Sequence, residues 1–192
     1  MTVFRDLSQH ILDIAENGIN ADATLLNIDI QENFTDDQLA ITVRDNGHGM
    51  DSETQKRVTD PWFTTRTTRK VGLGIPFLKQ TAEMCGGGFE IHSELGQGTT
   101  TKAIFQHSHI DRPPLGDLIG TLLCIIVGYP KVDLIYHHRV NEREFSLATQ
   151  EIREILGDEV PFSDPEVLTF LRAALEDGVL ALNGEPLPTL GA

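Results

Sequence analysis

Arg44-Asp-Asn-Gly-His-Gly-Met50 follows directly on the apolar-alternating run Leu39-Ala-Ile-Thr-Val43. The alternation predicts a strand, and that strand delivers one carboxylate, Asp45, into a turn. Gly47 and Gly49 let backbone approach another group closely there. A carboxylate at a strand end can accept a hydrogen bond from an exocyclic amine, which is one way an adenine is chosen. By itself the Asp-x-Gly-x-Gly pattern also fits an ordinary strand-to-turn exit. Its weight comes from three further segments that stand in a definite order around it.

The first lies upstream. Leu7 to Ala21 is predicted helical, with Ile11, Leu12, Ile14, Ala15 and Ile19 supplying a wide apolar face. A polar stripe of His10, Asp13, Asn17 and Asn20 runs along the same helix. Asp13 and Asn17 are four residues apart and so point the same way. An Asn amide oxygen can be one ligand of magnesium, which keeps several waters and takes other oxygens from phosphates. A carboxylate one turn earlier is placed to orient or deprotonate a nucleophile attacking a terminal phosphate. The plainer reading of the stripe is the solvated side of an amphipathic helix.

The second and third segments lie downstream. Val71-Gly-Leu-Gly-Ile75 precedes a predicted helix, and glycines there expose backbone amides at the positive end of the helix dipole. That arrangement suits a polyphosphate, although a helix start alone also accounts for it. Thr64-Thr-Arg-Thr-Thr-Arg-Lys70 sets hydroxyls and three cations beside it, as a lid closing on phosphates or as an exposed basic loop. Gly96-Gln-Gly-Thr99 puts a hydroxyl at the base of a strand near the expected adenine, and it also reads as a hairpin turn.

Composition bounds the class. The chain has 192 residues, 40% of them hydrophobic, which permits a real core and excludes global disorder. Its net charge of −14 argues against a broad nucleic-acid or anionic-membrane surface, without excluding a nucleotide held by local cations. Cys85 and Cys124 both sit in apolar stretches and read as buried reduced thiols. The start lacks a signal peptide's pattern, and the longest apolar run, Leu118 to Val127, is too short to span a bilayer. The expectation is a cytoplasmic protein with no membrane insertion and no nucleic-acid partner.

The predicted element order is helix 7–21, strands 25–31 and 39–44, helix 52–58, the Thr/Arg-rich segment, a helix from Gly74, then strands 89–93 and 99–105. This order describes helices layered on a mixed sheet. His107 to Pro114 reads as a connector. Beyond it come a helix at 115–127, strands at 132–137 and 143–146, and helices at 147–156 and 164–177. Ser163 is the expected cap of the last helix and Gly178 its stop. Residues 1–106, 107–182 and 183–192 are the expected ATP-binding domain, C-terminal α/β extension and flexible tail. The pairs His107-x-His109 and His137-His138 offer no third ligand at useful spacing, so no metal site is expected among them.

Taken together these segments resemble the GHKL superfamily: DNA gyrase, ninety-kilodalton heat-shock chaperones, histidine kinases and MutL-type mismatch-repair ATPases. The resemblance covers about residues 5–106. Leu12-Asp-Ile-Ala-Glu-Asn17 through Asn20-Ala-Asp-Ala23 looks like the N box, and Asp45 to Gly49 like the first glycine box. Pro61 to Thr65 looks like the aromatic box, Gly72 to Gly74 like the second glycine box, and Gly96 to Thr99 like the third. The resemblance implies the Bergerat fold, a two-layer α/β sandwich of the α+β class with a small C-terminal α/β extension, binding ATP and Mg²⁺. It implies Asn17 as the Mg²⁺ ligand, Asp45 on the adenine amine, and Asp13 as the catalytic base or water-orienting group. Asn20, Gly47, Gly49, Met50, Leu73 and Thr99 would line the nucleotide. Gly72 and Gly74 would line the phosphates, with Thr65, Arg66, Arg69 and Lys70 closing over them. Asp13 stands where many relatives place Glu, one methylene longer.

The N box begins within the first dozen residues, so no phosphoacceptor hairpin of a histidine kinase is expected ahead of it. His10 lies on the N-box helix itself and reads as a packing or site-lining residue. The expected function is a stand-alone Mg-ATP-binding regulator, nearest in style to anti-sigma-factor kinases, that phosphorylates a partner protein or binds it in a nucleotide-dependent way. A slow ATPase switch and a nonenzymatic nucleotide-sensing adaptor are the alternatives. A protein partner is expected, and a homodimer is left open.

Overall fold

The computed structural model describes residues 6–59, 74–157 and 160–184. The elements are α1 (Leu7–Asn20), β1 (Leu25–Asn33), β2 (Gln38–Asp45), α2 (Ser52–Arg57), α3 (Gly74–Met84), β3 (Gly88–Glu94), β4 (Gly98–Gln106), α4 (Leu118–Gly128), β5 (Asp133–Val140), β6 (Arg143–Ala148), α5 (Thr149–Leu156) and α6 (Pro165–Asn183). Among the described residues the strands form one sheet in the order β3-β4-β2-β1-β5-β6. Every neighbouring pair is antiparallel except β1 and β5.

Alternation along the strands sorts the sheet into two faces. Leu26, Ile28 and Ile30 of β1 are buried together with Leu39, Ile41 and Val43 of β2. Helices α1, α3, α4 and α6 cover that face. Asn27, Asp29, Gln31, Thr42 and Arg44 occupy the intervening positions, on the other face. The result is the two-layer sandwich expected from the sequence.

The C-terminal segment enlarges this same core. β5 runs parallel to β1 and continues its buried row with Leu134 and Tyr136. α4 is apolar nearly all round because it lies between α1 and α6 as well as on the sheet. The connector also closes the start of α1: the Leu7 and Ser8 N–H groups donate to the Pro114 and Leu115 carbonyls, each at 2.9 Å. These bonds satisfy helix donors that have no intrahelical partner.

Several expectations shift. α4 starts at Leu118 rather than Leu115, because Gly116 takes a left-handed turn (φ +78°) and Asp117 caps the helix through the Gly120 N–H. α6 is capped by Asp164, not Ser163, and runs through Gly178 to Asn183. Gly178 is not a stop: the Phe145 ring lies 2.4–2.6 Å from where its Cβ would be, so the glycine admits close helix-to-sheet packing. Gly184, left-handed at φ +80°, ends the helix instead. Cys85 is buried as expected, whereas Cys124 is exposed on α4. The tail from 185 onward lies outside the described residues. Among the described residues no helix is long and apolar enough to cross a membrane.

Candidate functional site

Asp45 ends β2 on the helix-facing side, paired in register with Thr99 of β4, which in turn pairs with Ser93 of β3. Its Oδ1 accepts the Gly47 N–H at 2.9 Å and the Thr99 N–H at 3.3 Å. No hydrogen bond from the described residues reaches Oδ2. Burial pushes the Asp45 carboxyl up, and the two amides with the nearby His48 ring offset this only in part. A buried carboxylate with one oxygen held and the other open is an acceptor in wait for a donor.

Close backbone approach builds the surroundings. A Cβ on Gly18 of α1 would meet Asp45 Cβ at 2.6 Å, and one on Gly47 would meet the Ala21 carbonyl at 2.6 Å. Gly49 (φ +66°) would put a Cβ 2.0 Å from the Glu94 carbonyl, and Gly98 (φ +98°) the same distance from the Asp45 carbonyl. These contacts press the β2 exit turn onto α1 and onto the β3–β4 hairpin. The hairpin is tied further: the Gly96 N–H donates to the His48 carbonyl, and the Met50 N–H donates to Ser93 Oγ at 2.8 Å. Ser93 Oγ also lies 2.9 Å from the Thr99 hydroxyl.

α1 carries a second contact. Its Asp13 side chain lies against the first residue of α3, where a Cβ on Gly74 would fall 1.6 Å from Asp13 Oδ2. His10, one turn earlier, is 3% exposed, with the Gly74 backbone beside its ring. Burial lowers the His10 pKa to about 4, against the opposing influence of Asp6 and of the Gly74 backbone. The ring is therefore neutral near pH 7. Asn17, one turn after Asp13, is half-buried, and Asn20 at the end of α1 is exposed.

The structure thus brings Asp45, Gly47, Gly49, Met50 and Thr99 together at one end of the sheet, with Asp13 and Gly74 joined along α1. The aromatic-box residues Pro61 to Thr65, and Arg66, Arg69, Lys70, Gly72 and Leu73, lie outside the described residues. The Thr99 hydroxyl is engaged by Ser93, so its backbone N–H rather than its side chain meets Asp45. A cavity of about 360 Å³ borders Asp45 and Thr99 but opens toward Arg44, His92 and Thr100, on the face away from α1.

Three contributors escaped the sequence reading. Gly18 makes room for Asp45, and a glycine inside an otherwise apolar helix was its available signal. Ser93 follows from strand alternation once the hairpin register places it opposite Thr99. Asn46 pins the exit turn by accepting the Thr24 and Leu25 N–H groups at 2.8 and 2.9 Å. Its residue type in a turn is common enough to carry no distinct signal.

A buried carboxylate at a strand end, a glycine at the start of α3 and an Asp/Asn pair on the opening helix thus sit on a mixed sheet covered by helices. Residues 2–109 match the family of histidine kinase-, DNA gyrase B-, and HSP90-like ATPases, and the chain belongs to it. Residues 2–109 are accordingly an ATP-binding domain of that family. A sensor protein of Shewanella frigidimarina is 36% identical over 103 residues, covering 53% of this chain and 16% of the relative. The signal transduction histidine-protein kinase AtoS of Escherichia coli is 35% identical over 95 residues, covering 49% of this chain and 16% of that protein. The chain therefore spans about a sixth of the length of these relatives. The crystal structure of the N-terminal domain of a DNA repair protein superposes with a TM-score of 0.57 at 12% identity, covering 81% of this chain and 58% of that one. That likeness is one of fold.

Proposed function

We propose that this chain binds Mg-ATP against α1 and the β2 exit turn, and phosphorylates a partner protein in signalling or docks to it in a nucleotide-dependent way. The observation that carries the reading is Asp45, buried with one oxygen held by two backbone amides and the other open to an amine donor. An adenine N6 amine supplies such a donor. The sensor-kinase relatives support the signalling setting.

The remaining residues fit the polyphosphate. Glycine at 74 lets the Asp13 carboxylate pack against the start of α3, and helix N-termini favour anions. Arg66, Arg69 and Lys70 supply cations in the sequence leading into α3. Asn17 would hold Mg²⁺ by its amide oxygen, and the ion would offset charge on the phosphates. Asp13 would orient the attacking group or take its proton. Residues 1–106 form the ATP-binding unit in this proposal, and 107–182 extend its sheet as the docking unit. A cytoplasmic location belongs to the same proposal, since ATP is made and spent there.

Incubation with γ-labelled ATP, magnesium and candidate partners tests the reading. Label on a partner protein supports the kinase, and free phosphate alone supports the switch. Absence of any adenine-nucleotide binding to the folded chain ends both.

A further inference from the structure

At the end of the sheet opposite Asp45, two turns present large apolar side chains to solvent. Phe34, between β1 and β2, is 54% exposed, and Ile110, in the connector after β4, is 93% exposed. A single exposed isoleucine is ordinary on a protein surface. What sets Ile110 apart is the bracing of the loop that carries it. Arg112 Nε donates to the His107 carbonyl at 2.7 Å, and Arg112 Nη1 to the Pro113 carbonyl at 3.1 Å. The Arg112 N–H donates to the His109 carbonyl at 3.0 Å. The two turns are also fastened to each other. The Asp37 carboxylate accepts the Ser108 N–H at 2.8 Å, the Ser108 hydroxyl at 2.7 Å and the Gln106 amide at 2.8 Å. The Phe34 ring meets the His107 ring edge-on, with centroids 4.8 Å apart. Phe34 and Ile110 thus stand on one braced surface, and neither belongs to the core.

We propose that this end of the sheet is a docking surface for a cationic, apolar-faced segment of a partner protein, with Ile110 and Phe34 as its anchors. This inference rests on the docking part of the reading above and sets docking apart from the nucleotide. Charge selects the occupant. Asp36, Asp37 and Asp111 lie in the segments 33–37 and 106–112, where Arg112 is the only lysine or arginine. The Arg112 guanidinium is spent on two carbonyls, whereas Asp36 and Asp111 are exposed beside the anchors. A second copy of this chain would set these carboxylates against their own kind, and an anionic lipid surface would meet the same repulsion. Lysines or arginines flanking a large apolar residue answer both features. A loop fixed before binding also loses little conformational freedom on docking.

The full chain serves for the test. A displayed library of short random peptides is depleted on Ile110→Ser, which removes binders of other surfaces, and then selected on wild type. Recovered peptides are expected to set Lys or Arg beside Leu, Ile, Phe or Trp. Their affinity should fall by about tenfold to a hundredfold on Ile110→Ser, the worth of burying one large apolar side chain, and by less on Phe34→Ser. Asp36→Asn combined with Asp111→Asn should weaken them by about threefold to fivefold, and raised salt should cost wild type a similar factor. The unfolding midpoint and Mg-ATP affinity of Ile110→Ser should match wild type, since so exposed a side chain serves neither the core nor the Asp45 end. Failure to recover any peptide that separates wild type from Ile110→Ser overturns the proposal, as does recovery of acidic peptides. A drop in the Ile110→Ser midpoint does so too, because the side chain would then serve the fold. Wild type that binds such peptides but no nucleotide defeats the ATP-binding reading alone, and the converse defeats the docking surface alone.

Discussion

Two carboxylates, Asp45 buried and Glu32 half-buried, stand at opposite ends of the same sheet, and their partners differ completely. Glu32, near the end of β1, has both oxygens filled: Oε1 by His138 Nε2 at 2.9 Å and Oε2 by His107 Nε2 at 2.8 Å. His138 Nδ1 is in turn 2.9 Å from the Tyr136 hydroxyl. With Nε2–H given to the carboxylate, a neutral His138 must accept at Nδ1 from Tyr136. Burial pushes the Glu32 carboxyl up, but the hydrogen bonds and charges of His138 and His107 together hold it below its ordinary value. Asp45 keeps one oxygen open and is pushed the other way. A buried carboxylate whose bonds are complete holds the fold together. One left half-satisfied costs the fold stability and is free to choose a ligand.

The largest expected effects come from exchanging charge for amide at each end. Asp45→Asn should weaken ATP binding by about tenfold to a hundredfold, the range of a hydrogen bond to a charged group. Its unfolding free energy should stay level or rise at pH 7, because the variant removes a desolvated charge and keeps an acceptor for Gly47 and Thr99. Glu32→Ala should do the reverse, costing about 2–3 kcal/mol by stranding two histidines while ATP affinity in the folded fraction is unchanged. Denaturant unfolding and calorimetry on the two variants check both halves. Parallel losses would erase the contrast.

This contrast was only half legible in the sequence. The strand run into Asp45 and the glycines around it announced the closely packed Asp45 turn, because close backbone approach demands residues that carry little else. The sandwich was legible for the same reason: β1 and β2 alternate cleanly, and α1 has one apolar face. Glu32 was invisible, since its partners lie 75 and 106 residues away and meet only when β5 joins β1. One histidine of each pair, His107 and His138, serves Glu32, while His137 lies 2.8 Å from Asp29. Gly178 was misread because stop signals are local, whereas its reason is the Phe145 ring across the core.

Acid should expose the difference next. His10 is buried neutral with its pKa lowered from 6.5 to about 4, so below pH 6.5 the unfolded chain binds the extra proton and stability falls until about pH 4. That loss is on the order of 3 kcal/mol, and His10→Leu should remove it from the pH profile of unfolding. Glu32 has its pKa lowered from 4.5, so its contribution is present above pH 4.5 and fades as pH drops through the lower folded value. Asp45, raised from 3.8, opposes both by gaining its proton more readily in the fold. A wild-type profile flat between pH 6.5 and 4 would show that His10 titrates freely.

Packing gives a smaller handle on the Asp45 end. A methyl on Gly18 would press into the Asp45 side chain from α1, so Gly18→Ala should cost about 1–3 kcal/mol and weaken ATP as well. Gly88, at the start of β3, has nothing within 4 Å of its would-be Cβ. Gly88→Ala is the matched control and should leave ATP affinity unaltered.

Ser93→Ala should have the mildest effect. The serine hydroxyl accepts the Met50 N–H and bridges to Thr99, yet neither it nor Met50 touches the Asp45 carboxylate directly. Its loss should cost about 1 kcal/mol, because the Met50 amide is only half-buried and water can replace the acceptor. The Thr99 N–H would still reach Asp45, but without the hydroxyl bridge that holds the two strands at that register. ATP affinity should therefore fall by only a few-fold, with adenosine falling in parallel. Measured on both ligands, a parallel loss assigns these bonds to the base, and a loss confined to ATP would assign them to the phosphates.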